Sequence, residues 1–136
     1  LSAIPIRPSG GRPAREDVAA VAAALRAQGV EHLLVTLGEH GSVLAGPEGL
    51  QPIPCAPVAQ VADPTAAGDS FVAAFCTGLC AGLPQGEALT FASHTAALTV
   101  SPPGAMPSLP TVAEVQSALR AWGHAGFDPG ELDALV

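Results

Sequence analysis

The sequence contains no lysine, no asparagine and no tyrosine, and only 12% of its 136 residues are charged. Without lysine, the chain cannot form a phosphate-binding loop that ends in Gly-Lys-Ser/Thr, and it cannot form a Schiff base through a lysine amine. With 12 acidic and 5 basic residues, the net charge is −7, so no polybasic surface for nucleic acid or a membrane is predicted. Neither is expected as a partner.

Cysteine is scarce as well, and long apolar runs are missing. Cys55, Cys76 and Cys80 are an odd number without a Cys-x-x-Cys pair, and no apolar stretch approaches the roughly 20 residues of a membrane helix. The first residues do not resemble a secretory signal, so a reducing, cytoplasmic setting is predicted. For Cys76 and Cys80, packed thiols are favoured over a pair of metal ligands, because no histidine lies at ligand spacing.

The residues that are abundant point to a packed α/β protein. Apolar types make up 49% of the chain, which excludes a disordered tail, and the 15 glycines and 14 prolines exclude a coiled coil. Apolar residues recur at helical spacing over residues 13–28, and a buried-strand pattern follows over residues 30–37. A helix followed by a strand of this kind predicts an α/β fold with a mainly parallel sheet.

The remaining pattern predicts a hairpin and three helices. Residues 42–45 and 50–53 flank a Gly-Pro-Glu-Gly turn. A helix is predicted from about Ser70 to Ala81, and it is apolar nearly all round, which predicts a central position. Further helices are predicted over residues 85–99 and from a capping box that begins at Thr111.

The residues that bear most directly on function lie between Thr65 and Ser70. Three small residues, Ala66, Ala67 and Gly68, stand at a helix start, where unshielded N–H groups and the helix dipole favour an anion. Asp69 follows on the first turn. Two interpretations stay open from spacing: Asp69 accepts a proton from a hydroxyl brought next to the anion, or it merely caps the helix.

These residues carry a resemblance to a known family. Asp63-Pro-Thr-Ala-Ala-Gly-Asp-Ser-Phe71 resembles the second signature of the ribokinase/phosphofructokinase-B family of sugar kinases. Thr36-Leu-Gly-Glu-His-Gly41 resembles the nucleotide loop of that family, and residues 91–100 with 104–110 resemble its C-terminal region. The Ala-Ala-Gly-Asp form and the Gly-Ala-x-x-Ser segment favour the ribokinases within it.

The resemblance implies a ribokinase-like three-layer α/β/α fold and transfer of the ATP γ-phosphoryl group to a sugar hydroxyl. It implies that Asp69 is the general base and that the N–H groups of Ala66, Ala67 and Gly68 hold the charge of the phosphoryl group. The residues it places at the nucleotide are Thr36, Gly38, Gly41 and Ser93. For Ser93, a polar helix residue without a ligand is the alternative.

Two metal ions are also implied by the resemblance. Members of the family order magnesium with an Asn-x-x-Glu motif, which this sequence lacks. They bind potassium beside the anion loop through oxygen ligands, which here correspond to Asp63, Thr65, Thr99, Pro102, Gly104 and Ser108. The alternative for Pro102 and Pro103 is that they only end a helix.

The departures from the family concern length. Members are about twice as long, and their earlier half supplies the sugar pocket and a small β lid. Residues 1–136 therefore correspond to the C-terminal nucleotide-binding and catalytic-base part, which is expected to pair with a missing N-terminal half or to form a homo-oligomer, to be inactive in isolation and to leave the helix after Ser70 partly uncovered. Two alternatives stay open: a kinase of the same fold for a nucleoside or a vitamin alcohol, and an inactive truncated fragment.

Overall fold

The computed structural model describes residues 15–58, 60–104 and 106–123. The chain divides into two compact units after Pro54. The first unit contains helix α1 (Arg15–Arg26) and strands β1 (Leu33–Thr36), β2 (Ser42–Gly46) and β3 (Gly49–Ile53). The second contains helices α2 (Ala67–Cys80), α3 (Gln85–Thr99) and α4 (Val112–Ala121). The predicted helix start at Pro13 lies outside the described residues, and no helix within them has the length and apolar character to cross a bilayer.

The sheet of the first unit has the order β1-β2-β3, and both pairings are antiparallel. Leu33 lies opposite Ala45, and Gly46 lies opposite Gly49. The predicted hairpin is confirmed. The pairing of β1 differs from the predicted parallel arrangement, because the short connection over residues 37–41 returns the chain directly beside β1, whereas a parallel neighbour needs a crossover of about a dozen residues or more.

Helix α1 packs against this sheet through its apolar face. Val18 and Ala22 are buried, as are all five residues of the middle strand β2. The guanidinium of Arg26 in the last turn of α1 donates to the carbonyl of Gly46 at 2.7 Å. An added Cβ at Gly46 would lie 2.8 Å from Cδ2 of the exposed His32 ring, so a larger residue there requires this ring to move.

Helices α2 and α3 form the core of the second unit. The two helices pack closely at Gly78, where an added Cβ would lie 3.1 Å from the Cβ of Ala88 and 3.2 Å from Leu83 Cδ1. Most of α3 is buried, including Leu89, Phe91 and Ala92. The ring of His94 lies 4.8 Å from the ring of Trp122. The bounds of α3 are those predicted from the sequence.

Helix α2 is less buried than the prediction of a central helix required. Phe71 and Ala74 are buried, but Val72 is 52% exposed and Leu79 is 42% exposed. Cys76 and Cys80 are free and exposed, so the prediction of packed thiols was wrong. The prediction failed because an apolar helix surface shows that a face can pack against a neighbour but does not show which face is covered. The expectation of a partly uncovered helix is confirmed.

The predicted capping box opens α4. The Glu114 N–H donates to Thr111 Oγ1 at 3.3 Å, and the Thr111 N–H donates to Glu114 Oε2 at 2.7 Å. The Thr111 hydroxyl also donates to this carboxylate, at 2.8 Å. These bonds lower the pKa of Glu114 below its ordinary value of 4.5, because they favour the charged form of the carboxyl. The bond from the Thr111 N–H makes the largest contribution.

This pKa shift predicts a pH dependence of stability. A carboxyl whose pKa is lower in the folded state stabilises the fold above its ordinary value, and this contribution is lost as the pH falls through the folded value. The free energy of unfolding should therefore fall more steeply below pH 4.5 in the wild type than in Glu114→Gln. Denaturant titrations across this range test it, and equal slopes for the two proteins would contradict it.

Candidate functional site

The turn before α2 has a strained backbone. Ala66 has φ 65° and ψ 0°, and it is the one non-glycine residue with positive φ among the described residues. Alanine adopts this left-handed conformation at a cost of about 1–2 kcal/mol. Strain of this kind persists where the surrounding structure enforces it, and it is concentrated at binding and catalytic sites.

The N–H groups of this turn match the predicted anion site in part. Those of Ala66, Gly68 and Asp69 have no acceptor in the part of the chain that the structure describes. The Ala67 N–H differs, because it donates to the Pro64 carbonyl at 3.3 Å. No side chain caps the 14-residue helix α2, so the open N–H groups lie at the positive end of its dipole.

Gly68 is not required by the fold of the described chain. A Cβ at this position would meet no atom within 4 Å, and its φ lies outside the left-handed region. Glycine is therefore explained by neither packing nor backbone conformation. An open backbone position of this kind suits a ligand that approaches the backbone closely.

Asp69 and Asp63 have different surroundings. Asp69 lies in the first turn of α2, is exposed, and has no hydrogen-bond partner among the described residues. The Asp63 carboxylate is bonded, since Oδ1 accepts from the Thr65 N–H at 2.9 Å and Oδ2 accepts from the Gly104 N–H at 3.3 Å. Donation by the hydroxyl and N–H of Thr65, with a smaller part from Gly104, lowers the pKa of Asp63. Asp69 is free to act on a ligand, while Asp63 organises the loop.

The two segments proposed to hold potassium are adjacent. Besides the contact of Asp63 with Gly104, the Val100 carbonyl accepts from the N–H groups of Ala62 and Asp63, at 2.8 and 3.2 Å. Thr99 and Ser108 are buried. The adjacency expected of residues 63–65 and 99–108 is therefore confirmed, and the binding of potassium there stays a prediction.

Ser93 lies on the buried face of α3. Its hydroxyl accepts from the Ala56 N–H at 3.2 Å, and the residue is 8% exposed. This bond ties the segment that leads to the anion turn onto α3. The contact of Ser93 with adenine stays a prediction.

The predicted nucleotide loop lies in the first unit, between β1 and β2. It contains a short 3₁₀ turn, Gly38–His40, and is closed by a bond of 2.7 Å from the Leu37 N–H to the Gly41 carbonyl. Gly38 and Gly41 have φ values of 60° and 81°, a conformation that glycine adopts without strain. The backbone of this loop therefore explains both glycines, and Thr36 ends the strand that leads into it.

Sequence reasoning missed one residue beside the anion turn. The hydroxyl of Ser70 is buried and lies 3.0 Å from the Ala67 carbonyl and 3.0 Å from Thr99 Oγ1. A signal was present in the sequence, because Ser70 is a hydroxyl residue at the start of an apolar helix face. Its partner, 29 residues later, could not be inferred from spacing.

Comparisons with known proteins place the chain in a family. The pfkB family carbohydrate kinase model matches residues 8–112, and the chain belongs to this family. A ribokinase of Arabidopsis thaliana is 39% identical over 107 residues, which are 77% of this chain and 28% of that protein. The predicted ribokinase/phosphofructokinase-B family is thereby confirmed.

Solved structures agree. The structure of Arabidopsis thaliana ribokinase complexed with ribose and ATP has a TM-score of 0.75 to this chain at 36% identity. The match covers 79% of this chain and 35% of the ribokinase chain. A nucleoside kinase of Methanocaldococcus jannaschii, an archaeal member of the ribokinase family, has a TM-score of 0.62 at 34% identity, over 68% of this chain and 31% of that one. The predicted ribokinase fold is confirmed, and the chain spans about a third of the length of these relatives.

Proposed function

We propose that this chain carries the catalytic base and part of the ATP site of a kinase that phosphorylates a sugar hydroxyl. The observation that carries the proposal is the exposed, unbonded Asp69 on the same helix turn as the open N–H groups of Ala66 and Gly68. A carboxylate beside an anion site is the arrangement needed to deprotonate a hydroxyl while it attacks a phosphoryl group.

In the proposed reaction, the acceptor oxygen attacks the γ-phosphorus of ATP. The bond from that phosphorus to the β,γ-bridging oxygen breaks and ADP leaves, while the proton of the hydroxyl passes to the Asp69 carboxylate. The N–H groups of Ala66 and Gly68, together with the positive end of α2, stabilise the oxygens of the transferring group. The Ala67 N–H joins them when it leaves the Pro64 carbonyl, to which it is bonded at 3.3 Å.

Nucleotide contacts are proposed for each unit by itself. In the first unit, Thr36, Gly38 and Gly41 are proposed to contact a nucleotide through the backbone of the β1–β2 loop. In the second unit, Ser93 is proposed to face the adenine from α3. The assignment of the loop is supported by its resemblance to the nucleotide loop of the family.

The described residues suit a potassium ion, and none of them is assigned to magnesium. The proposed ligands are the main-chain carbonyl oxygens of Thr99, Pro102 and Gly104 and oxygens of Asp63, Thr65 and Ser108, from the two segments that Asp63 joins. A ligand set made largely of carbonyls suits a monovalent cation that needs several oxygens. When bound, potassium supplies positive charge beside the anion turn.

A potassium requirement is a testable consequence. At constant ionic strength, sugar-dependent ADP formation should be fastest in potassium chloride, slower in sodium chloride because the smaller ion fits such a cage poorly, and slowest in tetramethylammonium chloride. Initial rates in the three salts provide the measurement. Equal rates in potassium and tetramethylammonium would remove the potassium site from the proposal.

A second acceptor class has specific support. The solved nucleoside kinase of Methanocaldococcus jannaschii is 34% identical to this chain with a TM-score of 0.62, so a nucleoside is the alternative acceptor. The experiment that separates the two is a panel of pentoses, hexoses and nucleosides with ATP, followed by mass spectrometry of the phosphorylated product. Formation of a sugar phosphate supports the first proposal, and absence of any phosphorylated acceptor overturns both.

The activity is proposed for the complete kinase. The 136 residues correspond to about a third of the length of the relatives, and no acceptor pocket is assigned to them. Expressed alone, they are expected to give no sugar-dependent ADP formation. Measurable turnover by the isolated chain would contradict this expectation.

A further inference from the structure

A pair of buried hydroxyl groups joins α2 to α3 next to the anion turn. Thr99 is fully buried and Ser70 is 5% exposed. Their oxygens lie 3.0 Å apart, Thr99 Oγ1 lies 2.9 Å from the Thr95 carbonyl, and Ser70 Oγ lies 3.0 Å from the Ala67 carbonyl. A buried hydroxyl without a partner is costly, and each of these two hydroxyls has the other hydroxyl and a carbonyl within hydrogen-bond distance.

Two arrangements of the protons satisfy both hydroxyls. In one, Ser70 donates to the Ala67 carbonyl and Thr99 donates to Ser70; in the other, Thr99 donates to the Thr95 carbonyl and Ser70 donates to Thr99. Neither carbonyl needs a hydroxyl, because each lies in a helix that supplies an N–H. Both arrangements contain the bond between the hydroxyls, so a hydrogen-bonded chain joins the end of α3, through Ser70, to the first turn of α2.

The turn reached by this chain has few other anchors. No side chain caps α2, and Ala66 is held in a strained conformation. On the other side of the turn, Val100, next to Thr99, accepts from the N–H groups of Ala62 and Asp63. Thr99, the last residue of α3, and Val100, which follows it, therefore hold the turn over residues 63–69 from both of its sides.

We propose that Thr99 and Ser70 are positioning residues for phosphoryl transfer. Their hydroxyl pair fixes the first turn of α2, so that the Asp69 carboxylate and the open N–H groups keep the relative position that the reaction needs. This inference rests on the proposed function and adds a role for side chains that touch neither substrate. A bond that served only to pack two helices together would stabilise the fold without affecting turnover.

The test compares Thr99→Val with Thr95→Val in the complete kinase. Both changes remove a buried hydroxyl from α3 and keep the side-chain shape, but Thr95 Oγ1 donates within its own helix, to the Phe91 carbonyl at 2.8 Å, and has no partner on another helix among the described residues. Because a misplacement of about 1 Å can lower a rate on the order of 100-fold, Thr99→Val should lower kcat by roughly tenfold or more, with the KM for ATP changed by less than about twofold. Thr95→Val should keep the wild-type kcat.

Two further variants separate positioning from damage. Thr99→Ser retains the hydroxyl and should recover most of the lost kcat. Ser70→Ala should lower kcat to the level of Thr99→Val. The double variant should lose little more, because each substitution alone already removes the same bond between Ser70 and Thr99. If Thr99→Val is poorly folded, Ser70→Ala and Thr99→Ser provide the comparison.

The outcomes are distinct. A wild-type kinase without acceptor-dependent ADP formation overturns the proposed function and this inference with it. An active wild type whose Thr99→Val and Ser70→Ala variants retain kcat overturns the positioning role and leaves the proposed function in place. Equal losses in Thr99→Val and Thr95→Val also overturn the positioning role, because they would assign the effect to helix stability.

Discussion

Replacing Asp69 with asparagine is expected to lower kcat by a factor on the order of 10²–10⁴, the usual contribution of a general base. The KM for ATP should change little, because proton transfer is made in the transition state and is absent from the bound ground state. Asp69 is exposed and has no hydrogen-bond partner among the described residues. The substitution therefore removes the acceptor of the proton without breaking a contact of the fold.

The matched control is Glu48→Gln, the same chemical change at an exposed turn position of the β2–β3 hairpin. It should leave kcat unchanged. Steady-state kinetics of the complete kinase with both variants, together with thermal unfolding, provide the measurement. An Asp69→Asn variant that retains more than about a tenth of the wild-type kcat would show that the proton is taken by another group.

Much of the second unit could be predicted because its signals are local. The bounds of α3 follow from apolar spacing and flanking proline and glycine, and the capping box of α4 requires only Thr111 and Glu114 at the correct separation. The position of Asp69 in the first turn of α2 likewise follows from the small residues that precede it. Each of these features is determined within a few residues of chain.

The features that the sequence did not reveal depend on contacts between distant segments. The exposure of Cys76 and Cys80 depends on which face of α2 is covered, and the antiparallel partner of β1 depends on how a five-residue connection turns. The bond between Ser70 and Thr99 spans 29 residues, and both hydroxyls have local carbonyl acceptors that would satisfy an isolated helix. The length of the β1–β2 connection favours the antiparallel partner over a parallel one, whereas nothing in spacing or composition distinguishes the other two arrangements from their alternatives.

Gly68→Ala should lower kcat by a factor on the order of 10²–10³, comparable to the loss of a donor from an oxyanion hole. The added methyl group would occupy the space through which a phosphate reaches the N–H groups of Gly68 and its neighbours. The fold should tolerate the change, since a Cβ there meets no atom within 4 Å and alanine favours a helix over glycine by up to about 1 kcal/mol. The prediction is thus a loss of activity without a loss of stability.

Gly86→Ala is the matched control for this variant. Gly86 is the second residue of α3, as Gly68 is the second residue of α2, and an added Cβ at Gly86 also meets no atom within 4 Å. Gly86→Ala should raise or preserve the melting temperature and keep the wild-type kcat. Gly68→Ala should likewise raise or preserve the melting temperature, but its kcat should fall. If Gly68→Ala is fully active, no ligand approaches this turn closely. If it unfolds while Gly86→Ala is stable, glycine is required there by the fold and the anion site loses its main structural support.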